Sequence, residues 1–200
     1  MKIGIIGAGI FGITIANRLS KSHEVEIIEK NEDILMASSD VNQCRVHRGY
    51  HYPRSDITVK EVLESQESFK EEYKDAIIND FENYYCISKK NSKTSADEYL
   101  KFCKRNNLEY KISKLNIINE NSIELCVKVK ENLFDHKKIK KICWKKLKEN
   151  NVIVHLNQKA DESIFKNYDK IIICTYADTN EFLDKFPKNK LKAQFEICEK

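Results

Sequence analysis

KIGIIGAGIFGITIA, residues 2–16, decides the fold of this chain. Lys2–Ile6 is a run of apolar, mostly β-branched residues, as expected of a strand buried on both faces of a parallel sheet. Gly7-Ala8-Gly9-Ile10-Phe11-Gly12 has the form GxGxxG, and Ile10 to Ser20 continues as a helix. Each glycine has a separate task in such a turn. Gly7 permits the tight reversal, Gly9 lets backbone N–H groups approach a pyrophosphate, and Gly12 lets helix and strand pack closely. The helix start then offers its unpaired N–H groups and positive dipole end to the phosphates. A second apolar strand, Val25 to Glu29, ends on an acid 20 residues after Gly9, where a carboxylate can accept hydrogen bonds from ribose hydroxyls. That carboxylate would repel a 2′-phosphate, which disfavours NADP. The same stretch read as a signal peptide fails on its four glycines, which weaken an apolar helix. It is also shorter than the ~20 apolar residues of a membrane span.

Outward from this unit, composition sets limits. The chain has 200 residues, 41% of them hydrophobic, enough for a folded core of one domain or two small ones. A net charge of +4 against 33% charged residues points to neither nucleic acid nor an anionic membrane as partner. Cys44, Cys86, Cys103, Cys126, Cys143, Cys174 and Cys198 form no CxxC pair and no metal-ligand spacing with histidine. They read as free thiols of a reducing compartment, and no metal is expected. With no membrane span in the sequence, the cytoplasm is the expected location. All five glycines lie at or before position 49.

The segment Met36 to Ser55 is a polar connection carrying Arg45, His47, Arg48, His51 and Arg54 interleaved with Tyr50 and Tyr52, long enough to suggest function. His47 and His51 are candidates for a base, because imidazole exchanges a proton near neutral pH. Arg45, Arg48 or Arg54 are candidates for clamping a carboxylate through paired hydrogen bonds. Beyond it, the apolar spacing from Thr58 to Ile78 predicts a helix. Tyr84 to Ser88 and Ile123 to Val129 predict strands, and Ser95-Ala96-Asp97-Glu98 predicts a capping box. The helix after Asp135 carries seven lysines between Lys137 and Lys148 over an inward stripe of Ile139, Ile142, Cys143 and Leu147. Almost without interleaved aromatics, its outer side reads as a solvated face.

The glycine turn extends to GxGxxGxxxA through Ala16, and Asn42-Gln43-Cys44-Arg45-Val46-His47-Arg48-Gly49-Tyr50-His51-Tyr52 follows it. Together they resemble the FAD-dependent oxidoreductases of the D-amino-acid oxidase (DAO) type, and within them the L-2-hydroxyglutarate oxidases. Asn42, Val46, His47, Gly49 and Tyr52 agree with that family's pattern, whereas Gln43, Cys44 and Arg45 depart from it. Glu131 to His155 is similar to the family's acid-Asp-helix-strand unit. Asp169 to Asn180 is similar to its Ala-Thr-Gly strand, with Thr175 matching and Tyr176 where glycine is usual.

The resemblance implies an α/β, Rossmann-like FAD/NAD(P)-binding parallel sheet with an incomplete α+β substrate-side domain. The expected division is 1–57 for the first part of the FAD-binding domain, 58–128 for inserted substrate-side helices and strands, 129–185 for the return, and 186–200 for the start of a further domain. It assigns cofactor contacts to Gly7, Gly9, Ile10, Phe11, Gly12, Glu29, Lys30, Ser38, Ser39, Asn42, Val46, Ala160 and Thr175, and catalytic roles to His47, His51 and Arg48. The implied activity is oxidation of a small hydroxy or amino acid, a small-molecule carboxylate, by hydride transfer to flavin. Family members continue beyond this point, so the chain is expected to be a fragment of the active protein. An NAD-dependent dehydrogenase and a non-catalytic nucleotide-binding protein are the alternatives. A yellow protein distinguishes the flavin reading from the first of these, and electron transfer to a dye distinguishes it from the second.

Overall fold

The computed structural model describes residues 1–183. In chain order, β1 (Lys2–Ile6), α1 (Ile10–Leu19) and β2 (Glu24–Ile28) come first, followed by β3 (Arg45–Val46), α2 (Asp56–Glu72), β4 (Ile77–Ile78) and β5 (Asn83–Ser88). Then come α3 (Ala96–Arg105), β6 (Tyr110–Ile112), β7 (Ile123–Val129), β8 (Asn132–Phe134), α4 (His136–Glu149) and β9 (Ile153–His155). The short α5 (Glu162–Phe165), β10 (Lys170–Ile173) and α6 (Asn180–Leu183) close the series. The chain forms two compact units, one of Met1–Asn42 with the chain from Lys140, the other Gln43–Ile139. The stretch 186–200, expected to begin a further domain, lies outside the described residues.

The first unit is an α/β fold on a parallel sheet of order β10-β1-β2-β9. Its central strands carry Ile3, Ile5, Ile6, Val25, Ile27 and Ile28, all buried, the pattern of strands covered on both faces. At Gly4 a Cβ would come within 2.8 Å of the Tyr168 ring, so the missing side chain lets that aromatic lie against β1. The expected strand, turn, helix and second strand at the N-terminus are all present, with Glu29 immediately beyond β2.

Glu26, on β2, is buried beneath three donors. Lys2 Nζ is 2.7 Å from Oε1, while His155 Nε2 at 2.8 Å and the Tyr168 hydroxyl at 2.7 Å reach Oε2. Burial alone would push this carboxyl up, but the bonds from Lys2, Tyr168 and His155 outweigh it and hold it at about 2, against an ordinary 4.5. A carboxyl depressed by folding stabilises the native state above its unfolded value. We therefore expect a contribution present above pH 4.5 and lost as pH falls toward 2. Urea unfolding on either side of that window should give a steeper acid loss in the native protein than in Glu26→Gln, and equal slopes would refute the assignment.

The second unit holds two three-stranded sheets, β3-β8-β4 and β5-β7-β6, with antiparallel pairing throughout. Its core gathers Tyr50, Val59, Ile87, Tyr99, Phe102, Leu108, Leu125, Val127 and Val129. Ser55 caps α2 by accepting from the Thr58 N–H, and Ser95 with Glu98 forms the anticipated capping box on α3. The helix expected over 58–78 stops earlier. After Glu72 the chain takes one 3₁₀ turn, Lys74–Ala76, and enters β4. Tyr73 and Ala76 stay buried, so the apolar spacing reports a continuous inward face across a change of backbone. No helix among the described residues is long and apolar enough to cross a membrane.

Candidate functional site

In the first unit the loop between β1 and α1 is shaped by three glycines for three reasons. Gly7 has φ +101°, a left-handed conformation, and a Cβ there would lie 2.5 Å from the Cys174 carbonyl oxygen. A Cβ on Gly12 would lie 2.0 Å from the Gly7 oxygen, so the helix could not sit this close to the turn with any side chain. At Gly9 the nearest atom to a Cβ is Ser39 Oγ at 3.6 Å. The protein does not fill that position.

Gly9 is also the extended N-cap of α1, with no side chain to cap it. The first N–H groups of a helix lack intrahelical acceptors. That of Ile10 donates to Ser39 Oγ at 3.1 Å, and the N–H of Gly9 has no acceptor among the described residues. Asn42 Nδ2 donates to the Ser39 carbonyl at 2.9 Å and to that of Ser38 at 3.3 Å, tying this serine stretch together. Phe11, on the first turn, is 77% exposed. An open position beside unpaired N–H groups at a helix start fits a dinucleotide pyrophosphate.

Glu29 is buried at the end of β2, as its spacing predicted, and it also braces the loop. Oε2 accepts from the Ala8 N–H at 2.7 Å, and Oε1 accepts from the Asn31 N–H at 2.9 Å and from Asn31 Nδ2 at 2.7 Å. A carboxylate has about four acceptor positions, so three donors leave capacity for a ribose hydroxyl. Lys30 Nζ is taken by Asp178 in an exposed ion pair. Ala160 is buried against Ile6, Ile28 and Phe182. Thr175 follows β10, its Oγ1 3.3 Å from that of Thr179. Tyr176 keeps φ +49°, the left-handed conformation that glycine adopts at no cost, and is 75% exposed.

The second unit holds Val46, His47, Arg48 and His51. Val46 is buried on β3. The rings of His47 and His51 are 5.9 Å apart, with Tyr52 6.2 Å from His47 and 5.6 Å from His51. Gly49, between Arg48 and Tyr50, turns the chain with φ +98°, where a Cβ would press on Val59 at 2.7 Å. Arg54 is exposed, outside this group.

Beneath the group lies Glu131, which the family resemblance named as the acid of a helix-strand unit without placing it at this site. Its side chain is 0% exposed. Oε1 accepts from the Arg48 N–H at 3.0 Å, and Oε2 from the Tyr85 hydroxyl at 3.0 Å, with Arg45 Nε at 3.1 Å from the same oxygen. Burial works to raise the Glu131 carboxyl, but His47, the Arg48 N–H and Arg45 overcome it and hold it below the ordinary carboxylate range. Arg45, a candidate clamp for a carboxylate, is thereby engaged inside the protein: it also donates to Asn83 Oδ1 at 3.0 Å and lies 4.5 Å from the Tyr85 ring centroid. Arg48 reaches the Lys130 carbonyl with Nη1 at 3.4 Å, while its buried Nε has no partner among the described residues. The available signal for Glu131 was an acid just beyond an apolar strand, the same arrangement that marked Glu29.

Comparison with known proteins bears on both units. The FAD dependent oxidoreductase (DAO) family signature matches residues 2–124. The FAD-dependent monooxygenase kojA of Aspergillus flavus is 34% identical over 80 residues, 40% of this chain and 19% of that protein. The FAD-dependent monooxygenase FPY4 of Fusarium mangiferae is 38% identical over 69 residues, 34% of this chain and 18% of its own. Among solved structures, glycine oxidase from Geobacillus kaustophilus superposes with TM-score 0.62 at 12% identity, covering 78% of this chain and 46% of that one. L-α-glycerophosphate oxidase from Mycoplasma pneumoniae, with FAD bound, gives TM-score 0.62 at 16% identity, covering 78% and 44%. The matches to the curated relatives thus span about a fifth of their length.

Proposed function

Because the chain belongs to the FAD-dependent oxidoreductase family and FAD is that family's cofactor, we propose that the full-length protein oxidises a small hydroxy or amino acid carrying a carboxylate. FAD, when bound, supplies the hydride acceptor. In this reading the unit of Met1–Asn42 with the chain from Lys140 binds the adenosine diphosphate part. Gly9, Ile10 and Phe11 meet the pyrophosphate, Ser39 and Asn42 brace the helix start, and Glu29 holds the ribose. Gln43–Ile139 is assigned to the substrate side.

The observation that carries the reading is His47 beside an ionised, fully buried Glu131, with the spare Arg48 Nε close in sequence. His47 takes the proton from the substrate hydroxyl or amine as hydride leaves the neighbouring C–H bond. Arg48 is assigned to the substrate carboxylate, which a guanidinium binds through paired hydrogen bonds. His51 lies next to His47 as a second imidazole. The similarity of Asn42, Val46, His47, Gly49 and Tyr52 to the L-2-hydroxyglutarate oxidases favours a 2-hydroxy acid within the class.

The full-length protein should be yellow and should bleach anaerobically with substrates of this class. A base contributes roughly 10²- to 10⁴-fold to such a step. His47→Ala should therefore slow flavin reduction by that factor while keeping its FAD. Unchanged reduction at full FAD content would remove His47 from the reaction. A second reading, oxygen insertion, is supported by the names of the two fungal relatives. It predicts isotopic oxygen from O₂ in the organic product, which simple oxidation does not.

A further inference from the structure

Resting on the assignment of His47 as the base, we propose that Glu131 is a positioning residue that keeps the His47 proton on Nδ1 and leaves Nε2 as the nitrogen that accepts the substrate proton.

The pairing of the two residues is built into the sheet. β3 and β8 run antiparallel with Arg45 opposite Leu133 and Val46 opposite Asn132. One step further along the same register, beyond the end of each strand, His47 comes opposite Glu131. Glu131 is also held from behind, because its backbone carbonyl accepts from Asn83 Nδ2 at 2.7 Å.

The carboxylate cannot swing. Oε2 is engaged by Arg45 and Tyr85, and Oε1 is fixed by a backbone N–H, that of Arg48. His47 Nδ1 is buried and lies 3.6 Å from Oε1, longer than a hydrogen bond and within ion-pair range. An ionised carboxylate only accepts. A lone pair on Nδ1 would face that negative oxygen and be repelled, whereas an N–H there is attracted. The group bonded to one ring nitrogen selects the tautomer and so the role of the other. The His47 side chain is 32% exposed, so the ring is not wholly enclosed. Its other near neighbours are the rings of His51 and Tyr52, which carry no fixed negative charge.

The test is long-range nitrogen–proton NMR on full-length, FAD-loaded protein labelled at histidine, at a pH where the imidazole is neutral. The His47 signal is assigned by its loss in His47→Asn. Neutral His47 should carry its proton mainly on Nδ1, the opposite of the Nε2 preference of a histidine side chain free in water. A proton mainly on Nε2 in the native protein overturns the proposal. In folded Glu131→Ala the ring should revert to the Nε2 form, and retention of the Nδ1 form also overturns it. Should that variant not fold, the native spectrum decides alone.

The outcome is separable from the fate of the base assignment. An Nδ1 proton together with unimpaired flavin reduction in His47→Ala leaves Glu131 in place and removes His47 from catalysis. An Nε2 proton together with slowed reduction does the reverse.

Discussion

Replacing Gly12 with alanine is expected to destabilise the nucleotide-binding unit by about 3 kcal/mol or more and to abolish FAD retention. Alanine normally favours a helix over glycine by about 1 kcal/mol, so propensity alone predicts a more stable protein. Steric contact decides against it. The added Cβ would stand 2.0 Å from the Gly7 carbonyl oxygen, a backbone atom that cannot rotate away. Gly7 is itself held by its N–H bond to the Ile28 carbonyl at 2.8 Å and packs on the Cys174 carbonyl. Relief requires moving either α1 or the turn, and both shape the cofactor cradle. Urea unfolding together with flavin content of the purified variant checks this. A variant as stable as the native protein and still yellow would show that helix and turn are not locked as described.

The parts of this architecture that could be read from the sequence are those whose causes are local. The spacing of Gly7, Gly9 and Gly12 encodes three steric demands within one turn, and Glu29 follows Gly9 by 20 residues, one helix and one strand later. Ser95 marks a helix start because a hydroxyl there accepts from an N–H three residues on. The Ile123–Val129 strand shows by its alternation of apolar and polar residues. What escaped depends on pairing between distant segments. β3 is two residues long and carries no period of its own; only its pairing with β8 brings the His47 segment to Glu131. Arg45 looked like a substrate ligand because nothing nearby in sequence reveals the carboxylate, amide and aromatic ring that enclose it. The end of α2 was hidden for a related reason, since Tyr73 and Ala76 remain buried after the helix has stopped. Tyr176 departs from glycine in identity but not in backbone conformation, a distinction visible only in its φ.

Gly9 separates folding from cofactor binding, because the protein itself leaves its side-chain position open. With φ −72° and ψ 175° its backbone suits alanine, and the new Cβ would meet only Ser39 Oγ at an ordinary 3.6 Å. A glycine-to-alanine change at a compatible position stabilises by about 0.4–1 kcal/mol through the unfolded chain. The same methyl group would occupy the space through which a pyrophosphate approaches the N–H groups opening α1. A clash of about 1.4–3 kcal/mol there corresponds to roughly 10- to 100-fold weaker binding. FAD titration of the full-length native and Gly9→Ala apoproteins, with urea unfolding in parallel, therefore asks whether the phosphates lie where the helix begins. At least ten-fold weaker FAD binding with stability equal to or above native is the predicted result. Equal FAD affinity in the two proteins would contradict it and place the cofactor elsewhere.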